Sequence, residues 1–178
     1  MDAKKILIIN GSGGVGKGEF VKTLSNITST YQVSIVDRVK AIARSAGWNG
    51  KKDEKSRKFL YDLKRCIDEY NDSNYIAMQE LMDKFIKTGK INGQPYNILC
   101  IDMREPDQIE RAKQEYGAKA VLVTNAKVDQ ILSNGADASV YDCIYDYIVV
   151  NDGSLEELQS SAEVLYEELF KVDNNLND

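Results

Sequence analysis

Short apolar runs alternate along this chain with longer segments whose apolar positions recur at helical spacing. "KKILIIN" (Lys4–Asn10) is nearly continuous in hydrophobic residues, as expected of a strand buried on both faces. From Gly18 to about Ser29 the pattern becomes helical, with Phe20, Val21 and Leu24 on one side. "QVSIVD" (Gln32–Asp37) predicts a second strand, and "RVKAIARSAG" (Arg38–Gly47) a helix stopped by glycine. Beyond the polar break "WNGKKDEK", a long helix is predicted near Ser56–Tyr70 with Leu60, Leu63 and Ile67 on one face. Another follows "NDSN" and runs to about Thr88, where "GKINGQP" ends it.

The second half keeps the alternation. "YNILCID" (Tyr96–Asp102) reads as a third strand, Pro106 to Tyr116 as a helix, and "AKAVLVTN" (Ala118–Asn125) as a fourth strand. A polar loop, or a short helix plus loop, spans Ala126–Asp142 ahead of a fifth strand, "YDYIVVND" (Tyr145–Asp152). Ser154 and Glu157 form a capping box at the start of a last helix. Its Leu155, Leu158, Ala162, Leu165 and Leu169 make an apolar stripe for docking on a sheet. The pattern predicts a three-layer α/β/α fold on a five-stranded parallel sheet. Ligands of such sheets bind beyond the C-terminal strand ends. Those ends are Gly11–Lys17, Asp37–Lys40, Asp102–Pro106 and Asn125–Lys127.

Composition narrows the chemistry. At 178 residues, 43% hydrophobic and 29% charged, the chain is expected to form one soluble domain. A net charge of −5 argues against a nucleic-acid partner held by a general positive field. No apolar run approaches the roughly 18 residues of a membrane span, so no membrane partner is expected. The N-terminus has no secretory pattern, and Cys66, Cys100 and Cys143 read as reduced, mostly buried thiols of a cytoplasmic protein. Histidine is absent, which removes His-based general-base catalysis, His-ligated zinc and Ser-His triads.

The spacing Gly11-x-x-x-x-Gly16-Lys17 fits a phosphate-binding loop as far as the lysine. It follows a buried strand and opens a helix, the context that such a loop requires. Gly13 and Gly14 free the backbone amides to turn inward, and the helix points its positive end at the same place. The position after the lysine holds Gly18, where GTPases carry a hydroxyl that ligates Mg²⁺. Gly-Lys-Gly resembles adenylate kinases instead, which implies a metal held largely through water. Asp102 ends the third strand, where a carboxylate can hold Mg²⁺ or its waters, or serve a structural role. Arg104 projects near the same cleft or pairs with Glu105 or Asp107, while Arg111 reads as a solvated helix residue.

With "DMREPDQI", a helix, the strand "AVLVTN" and then "YDYIVVNDGSLEEL", most of the chain resembles a known group in motif order. It looks like the phage-type deoxynucleoside monophosphate kinases and animal-type phosphomevalonate kinases. The resemblance implies a nucleoside-monophosphate-kinase-like P-loop domain over 1–172. Within it, about 38–92 would be a helical acceptor-binding insertion and about 126–142 a short lid-like loop, with 173–178 a frayed tail. It implies ATP and Mg²⁺ as cofactors and a small-molecule phosphate acceptor as partner, in a monomer or homodimer. Gly11, Ser12, Gly13, Gly14, Val15, Gly16, Lys17, Gly18 and Glu19 would form the donor-nucleotide site, with Lys17, Arg104 and Asp37 catalytic and Asp102 at the metal.

For the acceptor, Asp37, Arg38 and Lys40 leave a strand end on the ligand side. Asp37 can orient an acceptor group or cap the next helix. Five basic residues lie between Lys51 and Lys58, and several fall in a helix's first turn, where positive charge opposes the dipole. A bound anion or the neighbouring acids Asp53 and Glu54 would offset that cost. The resemblance favours the anion and points to Arg57, then Lys40. Trp48 and Tyr61 can stack on a base or simply pack. The segment 126–142 contains no arginine, although arginines on a transferring phosphoryl group can contribute about 10³–10⁵ in rate. The expected function is ATP-dependent phosphate transfer to a (deoxy)nucleoside monophosphate; the rival expectations are a nucleotide-binding sensor with little transfer activity and a phosphomevalonate-type kinase.

Overall fold

The computed structural model describes residues 4–51, 53–128 and 139–171. Five parallel strands form the central sheet: β1 (Lys5–Asn10), β2 (Thr30–Ser34), β5 (Ile98–Asp102), β6 (Lys119–Thr124) and β7 (Tyr147–Val150), in the order β2-β5-β1-β6-β7. Alternation within β1 explains the layers. Ile6 and Ile8 face a core shared with Tyr75, Met82, Phe85 and Ile109, and Leu7 and Ile9 face one shared with Phe20, Leu24, Leu158 and Leu165. The helices carrying those residues are α1 (Lys17–Ile27) and the final helix α6 (Leu155–Lys171) on one face, with α4 (Ser73–Thr88) and α5 (Pro106–Tyr116) on the other. The expected three-layer fold with five parallel strands is the observed one.

Some boundaries differ from the sequence pattern, for local reasons. The second strand is Thr30–Ser34, paired with Ile98–Asp102, and on its open edge Asp37 Oδ2 accepts from the Ser34 amide. Helix α2 (Asp37–Ser45) therefore starts at Asp37 itself. "GKINGQP" does more than end a helix: Gly89 stops α4 with φ 64°, and a small hairpin follows, β3 (Lys90–Ile91) with β4 (Gln94–Pro95). Asn92 and Gly93, both at positive φ (51° and 82°), make the turn, the conformation that the Asn-Gly pair favours.

Helix α3 (Glu54–Asn71) packs on α2 and α4. Asp53 caps it, its Oδ1 accepting from the Ser56 amide at 2.8 Å. Its predicted apolar face, Leu60, Leu63 and Ile67, is only half-buried, whereas Lys64 on the same helix is 6% exposed. In α6 the capping box forms as expected, the Ser154 amide donating to Glu157 Oε2 and the Glu157 amide to Ser154 Oγ. Leu158, Ala162, Leu165 and Leu169 are buried, while Leu155 at its start is exposed. Cys100 is buried and Cys66 is exposed, against the expectation of mostly buried thiols. The expected lid-like loop lies outside the described residues from 129 to 138, as does the tail from 172 onward.

Candidate functional site

The strand-to-helix loop after β1 is held in one shape by contacts that exclude a side chain at two of its glycines. Asn10, fully buried, accepts from the Gly11 amide at 2.8 Å. Gly11 has φ 141°, and a Cβ there would sit 2.3 Å from the Val123 carbonyl oxygen of β6. Gly16 caps α1 at φ 94°, and a Cβ there would lie 2.1 Å from Asn151 Nδ2. That same Nδ2 donates to the Val15 carbonyl at 2.9 Å, which ties the loop to the chain leaving β7. Lys17 lies across the loop, its Nζ donating to the carbonyls of Gly11 (2.6 Å) and Ser12 (2.8 Å). Gly18 differs from its neighbours: a Cβ there would meet nothing within 4 Å, so glycine at this position leaves open space rather than avoiding a clash. Glu19 is exposed and pairs with Lys22 at 3.3 Å.

A second group converges on the same end of the sheet. Asp102 closes β5, and Gln32 on β2 donates to both of its oxygens (3.2 and 3.1 Å). Burial pushes the Asp102 carboxyl above its ordinary range. Gln32 and the nearby charges of Lys17 and Lys40 pull it back down, and Asp37 adds to the rise. The register sets Asp102 beside Ile9 and Ser34, so Lys17, bonded to the Gly11 carbonyl, and Asp37, bonded to the Ser34 amide, leave the same strand ends. Asp37 also receives the Lys40 ammonium at 2.8 Å, alongside the Ser34 amide. Arg104 is half-buried in the β5–α5 loop, two residues past Asp102.

Two proposed acceptor residues sit apart from this group. Arg38 turns toward the start of α4 and donates to the Ser73 carbonyl at 3.1 Å. Arg57 is exposed in the first turn of α3, and among the described residues nothing pairs with its guanidinium. Trp48 is engaged locally, its Nε1 donating to the Lys51 carbonyl and its ring lying 5.5 Å from the Arg44 guanidinium. Arg111 is no merely solvated residue: it pairs with Asp72 at 2.6 Å and lies 3.8 Å from the Tyr75 ring centroid.

The residues that sequence reasoning missed are mostly amides. Asn125 Nδ2 donates to the Asn151 carbonyl at 2.6 Å, and the Ala126 amide donates to Asp152 Oδ1 at 2.7 Å. Lys127 Nζ donates to the Asp152 carbonyl. The ends of β6 and β7 are thus strapped together beside the loop. Asn10 Nδ2 also donates to Tyr145 Oη at 2.7 Å, which anchors the segment before β7 to the same strand end. The one available signal was polar residues directly after buried strands.

No family model matches the chain, and no curated protein matches it in sequence. Solved structures do match its fold. A dephospho-CoA kinase from Campylobacter jejuni superposes with a TM-score of 0.52 at 14% identity, covering 95% of this chain and 99% of that one. A sugar kinase from a Janibacter species gives 0.52 at 12%, covering 92% and 95%. Thymidylate kinase from Candida albicans gives 0.50 at 14%, covering 100% and 97%. The fold is that of the P-loop small-molecule kinases. At such identities the likeness speaks for the fold, and the resemblance to one kinase group within it is met at that coarser level. Among the described residues, no helix is long and apolar enough to cross a membrane.

Proposed function

We propose that this chain is an ATP-dependent phosphotransferase whose acceptor is a small phosphorylated molecule, and we assign that acceptor as a (deoxy)nucleoside monophosphate. The convergence of Lys17, Asp37, Lys40 and Asp102 beyond the C-terminal ends of β1, β2 and β5 carries the reading. It supplies two cations for phosphate groups and two carboxylates beside them at a helix N-terminus.

In this reading the amides of Gly11–Gly18 and the Lys17 ammonium hold the donor phosphates. Lys17 would exchange its two carbonyl partners for phosphate oxygens. Mg²⁺, when bound with ATP, neutralises phosphate charge. The residues present fit it, because a half-buried carboxyl pushed toward its protonated form is restored to its charged form by a nearby cation. Asp102 would hold the ion or its waters. Among the described residues no cluster of three or more His, Cys, Asp or Glu could cage a metal. That agrees with the one or two carboxylates plus substrate phosphates by which Mg²⁺ is usually bound. Arg104 would offset charge on the transferring group, and Asp37 would orient the acceptor. Arg57, Lys40 and Arg38 would meet its phosphate, Arg38 after leaving the Ser73 carbonyl.

A second reading, a nucleotide-binding regulator with little transfer, has its own support. Arg38 is committed to α4, and the segment 126–142 contains no arginine. One experiment separates the two readings: ADP release from ATP-Mg²⁺ over a panel of nucleoside monophosphates, phosphomevalonate and dephospho-CoA. Acceptor-dependent release that falls at least a hundredfold in Lys17→Ala is the expected outcome. Tight ATP binding with no acceptor-dependent release would favour the regulator.

A further inference from the structure

The two edges of the central sheet differ in how they meet solvent. On β2 the outward Ser34 amide is closed off by the Asp37 carboxylate, which blunts that edge. The opposite edge is β7, Tyr-Ile-Val-Val, with none of the lysine or proline that commonly guards an open strand. One face of β7 is covered, with Val149 buried against Leu158 and Leu165 of α6. Ile148 and Val150 point to the other face and are 66% and 56% exposed. The residue beside Ile148 on β6, Leu122, is 5% exposed, so the cover of that face ends one strand short of the edge.

A groove of about 390 Å³ runs along this edge between β7 and α6. Ser160, Ser161, Val164 and Glu168 of α6 form its outer wall, and Val164 is 56% exposed. Both serine hydroxyls turn back on their own helix, donating to the Glu156 and Glu157 carbonyls at 3.1 and 3.0 Å. Among the described residues, Glu168 is the one charged side chain of the groove. The helix behind it is acidic throughout, with five glutamates against Lys171.

That charge decides what fits. A second copy laid antiparallel on the same edge would set this acidic helix against itself. The chain's own residues 172–178 carry two aspartates and no cation. We propose that the β7 edge is a docking site for an extended, basic segment of another protein, added as a sixth strand with lysine or arginine facing α6 and apolar residues facing Ile148 and Val150. The pattern follows from strand geometry, in which successive side chains fall on opposite faces. A long cationic side chain can lay its stem on Val164 and carry its head to Glu168. Main-chain bonds to the open edge supply affinity, and the alternating side chains supply selectivity.

The probe is a fluorophore-labelled peptide of alternating lysine and valine, blocked at both ends and titrated into the full chain at about 0.15 M salt. It should bind at least about tenfold tighter than the same peptide with glutamate for lysine. Hydrogen exchange should show new protection at the outward amides of Tyr147–Val150. A copy of the basic peptide N-methylated throughout keeps the charge and loses the donors of a strand, so its binding should fall about tenfold. Glu168→Lys, an exposed change that leaves the core alone, should weaken the basic peptide by roughly threefold. Equal affinity for the two signs, undiminished binding of the N-methylated copy, protection confined to other segments, or no binding at all would overturn the proposal. So would protection of those outward amides in the chain alone, because a second copy, if it is lost on dilution, or the chain's own tail, if it is not, would then hold the edge.

Discussion

Asp102 shows how a single residue can be placed at odds with the folded chain's own comfort. Its proton is held more tightly in the folded state than in the unfolded one, because burial outweighs the pull of Gln32, Lys17 and Lys40. A group of this kind contributes stability below its unfolded value, and that contribution drains away as pH rises through the folded value. At neutral pH its ionised form is therefore a cost carried at the proposed nucleotide site. Asp102→Asn is expected to melt at a higher temperature than the parent at about pH 7, with the gap closing on acidification toward about pH 4. The same variant should lose the Mg²⁺ dependence of nucleotide binding. A variant less stable than the parent at neutral pH would show that the two Gln32 hydrogen bonds matter more than the desolvated charge. The residue's position at a strand end was legible in the sequence; its partner Gln32, a polar residue on a different strand, was not. Only the β2–β5 register brings them together.

Helix α3 was predicted to bury Leu60, Leu63 and Ile67, and it buries Lys64 most deeply instead. Asp68, one turn on, was visible as a partner; Glu105 lies in another element and was not. Helical spacing marks which residues share a face, but only the tertiary packing decides which face is enclosed. By contrast α5 and the capped α6 were readable, because proline, glycine and the Ser-Glu box are local signals that tertiary structure did not override. Breaking the buried pair should be costly at the level of the element. Lys64→Met leaves Asp68 and Glu105 facing each other without a cation. Partial exposure of both acids (18% and 26%) moderates the expected loss to about 2–3 kcal/mol, below the 3–5 of a fully enclosed pair. Urea unfolding would report it as a lower midpoint with an unchanged slope.

Across the whole molecule, alternation of strands and helices was enough to give the layers, the parallel sheet and the end on which the candidate site is proposed. What the alternation could not give was the bracing of that end by Asn10, Asn125, Asn151 and Tyr145, since each bond joins residues far apart in sequence. If the proposed function holds, a loop braced in this way needs little ordering to receive phosphate, so binding should add to global stability rather than being consumed in ordering the loop. ATP-Mg²⁺ at about a hundred times its dissociation constant is expected to stabilise the fold by about 2.7 kcal/mol. For a chain of this size that is a rise of roughly 5–11 °C in Tm. Differential scanning calorimetry should find the rise in the parent and lose it in Lys17→Ala.

Asn151 Nδ2 fills the space that a side chain at position 16 would need, and bonds the carbonyl just before it. The two positions, far apart in the chain, are therefore sterically coupled. Any substitution of Gly16 must first displace Asn151. In a lineage of related sequences the pair would drift together or not at all, so a change at one end of the gene sets which changes the other end can survive.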